Sequence, residues 1–438
     1  MKTNDLNPYP VAPPPAPPPA GHLFTDPTFN TPILRVTDEH DKGGFPGVSF
    51  AQEYSAIYDA FNSDSTRIEY LDLAGFHYIA ELDVGRRRVS NKTQLPMTPT
   101  GFKTFYWSRL DPNTAYVVTA TAIYRLDCNA LAYTLLVDLS KKLPGLTNAD
   151  SRGMSWDDNR FHFSDAGLRL EAAYEVSTDS ILGPIFAQDV EKQFPGLTDY
   201  LQLKGQMDTT GKLVLAPGWT LVNLETKQMS WAKSADPTRP GDPGLPFGDA
   251  TSNDVHADWG ANGMLAGGIV MMGVNGNGFP AFYPGFRGPI DPAQLATYVL
   301  FRKQAGPETP WSIDTHSSYR DRTGKWQTLC YDQGTPNPPN KWDFFIGEIF
   351  QLALDSPVDG SKNRRICRHY SDPASVDPGM SYWAAPKATM AQRDSLDAVA
   401  FNSTYKNGRV DMYIAFPDQP AALTGDEIVQ VRELLRTR

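Results

Sequence analysis

What this sequence lacks narrows it first. It has three cysteines in 438 residues, Cys128, Cys330 and Cys367. An odd, sparse set makes no disulfide framework, and no paired C-x-x-C offers a zinc site. Two readings remain open: buried free thiols, or a bridge between Cys330 and Cys367. No apolar run approaches the roughly 18 residues that a membrane span needs. After Met1-Lys2 the chain is polar and then proline-rich, with no apolar central region, so no signal peptide is visible. A cytoplasmic protein, or an extracytoplasmic one given in processed form, is expected. Positive charge is not in excess either: 40 Lys and Arg stand against 50 Asp and Glu, a formal net charge of −10. Nucleic-acid binding needs a basic surface to neutralise phosphates, so it is not expected.

Familiar catalytic signatures are missing as well. There is no Gly-x-Ser-x-Gly elbow, Walker loop, EF-hand loop or His-Glu-x-x-His. The glycine-rich stretch Gly273-Val274-Asn275-Gly276-Asn277-Gly278 has no helix start directly after it and makes a poor phosphate cradle. No His-x-His pair occurs in the sequence. No tightly bound transition metal and no cofactor are expected.

What is present is a repeat. The stretch from Asp314 to Leu329 reads as a strand opened by His316, a polar turn closed by Gly324, and an alternating second strand. Six weaker copies follow the same phrase. The turns fall at Asn62–Ser65, Asp111–Asn113, Asp157–Asn159, Asp208–Gly211 and Gly260–Gly263, with a last copy beginning near Lys387. Asp, Asn, Gly and Ser crowd the turns because they tolerate hairpin dihedrals or bond their own backbone. β-Branched and aromatic residues fill the intervals, as half-buried strands require. Repetition at roughly 40–50 residues is the mark of a β-propeller, each repeat one four-stranded blade. The expected fold is all-β, a seven-bladed propeller over residues 22–418.

The ends of the chain complete the picture. The seventh blade supplies only three strands, Lys387–Met390, Ala398–Phe401 and Val410–Phe416. The isolated strand Ile33–Thr37 has no hairpin partner and is the natural fourth, because a three-stranded blade would leave an open edge. Residues 1–21 carry Pro13-Pro14-Pro15-Ala16-Pro17-Pro18-Pro19, which favours polyproline II and reads as a stiff tether or disordered leader. Removing it should not cost folding. Residues 188–203 and 291–304 read as partly helical insertions. Residues 419–438 read as a C-terminal helix packed on the propeller, with Thr424 and Glu427 forming a capping box and Ile428, Val431, Leu434 and Leu435 one apolar face.

The phrase Thr25-Asp26-Pro27-Thr28-Phe29-Asn30-Thr31-Pro32-Ile33-Leu34-Arg35-Val36-Thr37-Asp38, followed by these repeats, resembles bacterial propellers of the TolB-like and oligogalacturonate-lyase-like group. Arg368-His369-Tyr370-Ser371, Tyr382-Trp383 and Pro386-Lys387-Ala388 are similar to the start of the last blade in that group. The resemblance spans residues 22–418 and implies architecture more than activity. Such lyases hold a divalent metal with clustered histidines and a glutamine. Here His256 and His316 match two such positions, while Pro386-Lys387 stands where another histidine would be sought, so the metal site is not carried over.

In a propeller the innermost strand of each blade lines the central channel. Strand-opening residues then gather near one mouth, among them Arg109, Arg152, Lys204, His256, His316, Arg320 and Lys387. A cationic funnel in an anionic chain would concentrate an anionic ligand, such as a uronate-bearing oligosaccharide. Tyr106, Trp107, Tyr382 and Trp383 are candidates to stack on sugar faces. His256 and His316 are candidate bases for β-elimination, with Arg152, Lys204 or Lys387 neutralising the carboxylate. Each has a plainer alternative. The histidines would fix the angle between blades, the tryptophans would pack between blades, and Arg109 and Arg320 would pair with turn aspartates. A non-catalytic scaffold, with its rim loops offered to a protein partner, is the other functional class.

Overall fold

The computed structural model describes residues 9, 12–41, 50–51, 58–72, 74–97, 99–194, 205–216, 220–231, 257–259, 265–267, 281–286, 297–303, 315–318, 326–331, 347–353, 364–394, 397–405 and 408–417. Small antiparallel sheets follow one another along the chain. The first sheet orders Phe50–Ala51, Arg67–Asp72, His77–Asp83 and Arg88–Gln94; the second orders Phe102–Trp107, Thr114–Thr119, Ala122–Asp127 and Ala132–Asp138. The third contains Arg160–Asp165, Leu170–Glu175 and Ser180–Phe186 as its second to fourth strands, with residues 150–154 bridged to Arg160–Asp165 in the place of the first. The fourth runs Gln206–Met207, Leu213–Ala216, Thr220–Asn223 and Met229–Trp231. Two-stranded ladders follow, Ala257–Trp259 with Leu265–Gly267 and Ala281–Phe286 with Thr297–Lys303. A penultimate sheet orders Thr315–Ser318, Trp326–Tyr331, Glu348–Ala353 and Arg364–Arg368.

The terminal sheet joins the two ends of the chain. Its order is Leu23–Thr25, Pro32–Arg35, Asp411–Ala415, Val399–Ser403, Thr389–Met390. Ile33 faces Ala415, Leu34 faces Ile414 and Arg35 faces Tyr413 in an antiparallel ladder. The pairing expected between the solitary N-terminal strand and the last strand is therefore present, and Leu23–Thr25 adds a further strand outside it. Polar chemistry fixes the same seam. Arg35 meets Asp411 at 2.7 Å and Arg409 meets it at 2.9 Å. Thr37 Oγ1 donates to Asp411 and accepts the Met412 N–H at 3.0 Å. Burial pushes the Asp411 carboxyl up, against the pull of Arg409 and Arg35.

Among the described residues, the terminal sheet and the first four sheets are laced to one another at their turns. Gln392 Nε2 donates to the Phe61 carbonyl at 2.5 Å, and Ser65 Oγ accepts the Arg393 N–H at 3.1 Å. Asn62 Nδ2 donates to the Pro112 carbonyl at 2.9 Å. Asp158 accepts from Ser108 Oγ and from the Arg109 N–H, and the Trp156 N–H donates to the Thr209 carbonyl at 2.8 Å. Short polar side chains also cap these turns: Asn62, Ser155 and Asp208 each accept a backbone N–H four or five residues on. A short polar side chain at one repeated position thus shapes its hairpin while that turn joins its neighbour.

Several expectations change. Thr297–Lys303, within the segment read as helical, is a strand. Its Thr-Tyr-Val-Leu-Phe run favours a pleated, half-buried surface, and pairing with Ala281–Phe286 decides it. Residues 188–203, read as partly helical, do begin in a helix, Ala187–Gln193, and 195–203 lie outside the described residues. The proline run has no regular structure, yet the leader is held in place. Arg35 Nη1 donates to the Pro18 carbonyl at 2.9 Å and Arg368 Nη2 to the Tyr9 carbonyl at 2.7 Å. A Cys330–Cys367 bridge is excluded, because both residues face Ile349 from opposite sides of the strand between them. Two strand spacings, roughly 9–10 Å, exceed disulfide reach, and all three cysteines are buried thiols. The C-terminal helix lies outside the described residues.

Two outcomes test the seam. Arg35→Met, which leaves Asp411 buried with half of its compensation, should cost about 3 kcal/mol in urea unfolding. A loss under about 0.5 kcal/mol, of surface-pair size, would show that the seam is peripheral. Deleting residues 1–40 should abolish cooperative unfolding, whereas deleting 1–20 should lower the midpoint measurably.

Candidate functional site

The inner strands of the first four sheets meet in one polar cluster. Strand alternation sends Tyr106 to the side of the third sheet and Trp107 to the side of the first. Tyr106 Oη accepts the Gly153 N–H at 2.8 Å and lies 3.0 Å from Ser151 Oγ, which donates to the His162 carbonyl at 2.6 Å. Tyr58, from the first sheet, donates to the Ser151 carbonyl at 2.9 Å. The Met207 N–H donates to the Arg152 carbonyl at 3.1 Å. This approach requires glycine at 153, where φ is +152° and a Cβ would stand 2.8 Å from Met207 Cβ.

Beneath the cluster lies a histidine–carboxylate pair. His162 Nε2 is 3.2 Å from Glu171 Oε2, and both residues are fully buried. His162 Nδ1 accepts the Arg152 N–H at 3.3 Å, which assigns the ring proton to Nε2. Glu171 Oε1 in turn accepts the Gly205 N–H of the fourth sheet at 3.0 Å. Neither ring nitrogen keeps a free lone pair, so this histidine is a strut between sheets rather than a base. The first sheet repeats the device: His77 Nδ1 lies 2.6 Å from Glu69 Oε1, and its ring stacks on Phe102 of the second sheet at 3.9 Å. Burial holds Glu69 well above the usual carboxylate range. These pairs sit on second and third strands, so a search of strand openings passes over them. The signal that would have found them is a His and a Glu at second- and third-strand positions eight or nine residues apart.

The sequence-derived candidates fall in several places. His256 and Lys204 lie outside the described residues. His316 pairs with Cys330 in the penultimate sheet's ladder. Arg152 is half-buried in the cluster above, and its Nε is buried without a hydrogen-bond partner. Trp107 is fully buried, edge-on to Phe105 at 5.1 Å. Lys387, Tyr382 and Trp383 do come together, but on one another. The fully buried Lys387 ammonium sits 3.5 Å from the Tyr382 ring centre and 4.6 Å from that of Trp383. Arg109 pairs with Asp59 at 2.7 Å and lies over Trp156 at 4.6 Å, the structural role weighed for it. Arg320 is outside the described residues. Among the described residues, Asp38, Glu39 and His40 form an acidic group at the surface.

A third buried histidine gives a pH test. His369 accepts the Ser371 N–H on Nδ1 at 3.0 Å, and burial, with Arg368 nearby, pushes its pKa down to about 3. The folded state keeps it neutral while the unfolded chain takes up a proton below about 6.5. Stability from this group is therefore complete above pH 6.5 and lost as pH falls, by about 3 kcal/mol at pH 4.5. Asp26, pushed up to about 6 by burial, acts in the opposite sense below pH 6. His369→Asn keeps an acceptor for Ser371 and should flatten the fall in Tm between pH 6.5 and 4.5. An unchanged slope would exonerate His369.

No family model matches the sequence, and no curated protein does either. Solved structures do. An oligogalacturonate lyase from Vibrio parahaemolyticus superposes with a TM-score of 0.58 at 11% identity, covering 93% of this chain and 97% of that one. The β-propeller domain of Cps50 (Swd1) from Myceliophthora thermophila gives 0.43 at 10% identity, over 83% and 97%. TolB from Acinetobacter baumannii gives 0.35 at 13% identity, over 74% and 65%. At such identities the likeness is one of fold alone: this chain is mostly β, built of small antiparallel sheets in a propeller-type arrangement.

Proposed function

We propose that the chain is a seven-bladed propeller, closed by its two ends, whose central channel binds an anionic ligand, a uronate-containing carbohydrate. Four sheets, the two short ladders taken as one blade, the penultimate sheet and the terminal sheet make the seven. The observation that carries the ligand is Arg152. Among the described residues no carboxylate lies within ion-pair reach of it, although Arg35, Arg109, Arg160, Arg365 and Arg368 all have one. An uncompensated cation half-buried on an inner strand is costly unless an anion completes it. Around it, the hydroxyls of Tyr58, Tyr106 and Ser151 are committed to protein partners, which leaves the guanidinium to meet the ligand.

For a uronate polymer the fitting chemistry is β-elimination. A base takes the C5 proton, that electron pair forms the C4–C5 double bond, and the glycosidic oxygen leaves C4 with its bonding pair. His256 or His316 would be the base. Arg152 and Lys204 would neutralise the carboxylate as charge develops, Lys387 being turned to its own aromatic rings. The lyase fold likeness favours this class by analogy only. Binding without turnover, with rim loops meeting a protein partner, is the second reading. It is favoured by the commitment of His77, His162 and His369 to structural roles.

Titration of a uronate oligomer should show binding that weakens with salt, since partly exposed charges are screened within about 8–10 Å near 0.1–0.15 M. Arg152→Gln should weaken it about tenfold or more. His256→Ala should remove the rise in ultraviolet absorbance from unsaturated product while sparing binding. If Arg152→Gln binds as the wild type does, the channel reading fails. If binding responds but no absorbance ever develops, the non-catalytic reading stands.

A further inference from the structure

Away from the inner strands, an open cleft of about 750 Å³ lies where the first sheet meets the turns of its two neighbours. Its walls carry Arg67, Arg86, Arg88 and Arg393 against only Glu81 and Asp83, in a chain whose net charge is −10. The four cations are not equivalent. Arg86 is tied to Asp83 at 3.2 Å, and Arg393 to Asp397 at 2.6 Å. Arg67 and Arg88 have no carboxylate within ion-pair distance among the described residues. Arg67 Nη2 donates to the neutral amide oxygen of Asn129, and its Nη1 is buried without a hydrogen-bond partner. The Cys128 thiol beside it is pushed up to about 12 by burial and stays neutral, so it cancels none of the charge. In the adjoining turn Asp64 Oδ1 accepts from the backbone and hydroxyl of Thr66.

We propose that this cleft is a second binding site, for a small oxyanion carried on a polyhydroxylated body: a carboxylated or phosphorylated sugar. Two uncompensated guanidiniums about one space suit bidentate oxyanion recognition. The hydroxyl of Ser90 and the amide of Asn113 line the same space and suit ligand hydroxyls, while Asn91 Nδ2 donates to Glu81 Oε2 at 2.7 Å. No aromatic ring lines the cleft, which disfavours a nucleobase or aryl group. The volume falls within the range of small-molecule sites, about 300–1,000 Å³. The site is separate from Arg152 and does not depend on the channel reading.

The test uses the full chain with inorganic phosphate, D-galacturonate and D-galactose, read by protection of Arg88 from phenylglyoxal with peptide mass spectrometry. At millimolar concentration phosphate or galacturonate should protect Arg88, and neutral galactose should not. Protection by one oxyanion alone names the source. Arg88→Gln, on an exposed strand, should fold normally and weaken the protective anion at least tenfold, now read by calorimetry and by modification of Arg67. Arg152→Gln should leave this protection unchanged. Absence of protection by either oxyanion, equal protection by galactose, or unchanged affinity in Arg88→Gln would overturn the proposal.

Discussion

The structure depends on a pairing between residues nearly 400 positions apart. The ladder from Pro32–Arg35 to Asp411–Ala415 joins the chain's ends in one sheet, and its polar core is Asp411 held by two arginines and Thr37. A sheet of consecutive hairpins needs only local contacts, but a succession of such sheets leaves its first and last members exposed at their edges. Placing the chain's two ends in one sheet covers the edge of Asp411–Ala415 with Pro32–Arg35. It also makes the N-terminal segment part of the fold, which is why Arg35 and Arg368 reach out to carbonyls of the proline-rich leader.

Between sheets the binding is of two kinds. At the turns it is backbone and short polar side chains, repeated with small variations from Gln392 through Asn62 and Ser108 to Trp156. Deeper in, buried polar pairs act as spacers: Glu69 with His77, His162 with Glu171, and the ion pairs of Glu348 with Arg365 and Arg368 at 2.6 and 3.1 Å. Such groups are weak sources of net stability but expensive to leave half-paired. They therefore hold the sheets to one arrangement. A buried histidine is easily mistaken for a reagent, and here the accounting of its two nitrogens decides against it.

Local features were legible in the sequence. The turns at Asn62, Asp111, Asp157 and Asp208 announced themselves through residues that hairpins require, and the N-terminal strand was identifiable because it had no neighbour of its own. One local reading failed where tertiary pairing outweighed a short-range pattern. Thr297–Lys303 carries apolar spacing that suits a helix but β-branched and aromatic residues that suit its ladder. The proline run does avoid regular structure, yet its carbonyls remain acceptors that arginines can find. The candidate site was less legible. Residue type singled out Arg152 among the cations, but only the structure shows that Lys387 is covered by Tyr382 and Trp383, or that Arg109 is already paired with Asp59.

That last distinction orders the cations of this acidic protein by what completes them. Arg35, Arg109 and Arg365 meet carboxylates in buried geometry, and Lys387 meets two ring faces; their positive charge is used inside the fold. Electrostatic attraction for an outside anion must come from what is left. Arg152, in the segment bridged to the third sheet, and Arg67 with Arg88, on the second and fourth strands of the first sheet, are partly accessible and meet no carboxylate among the described residues. Counting lysines and arginines near a mouth overstates its potential, because a compensated guanidinium attracts little beyond its partner. Ligand chemistry in this fold should therefore be sought where compensation fails.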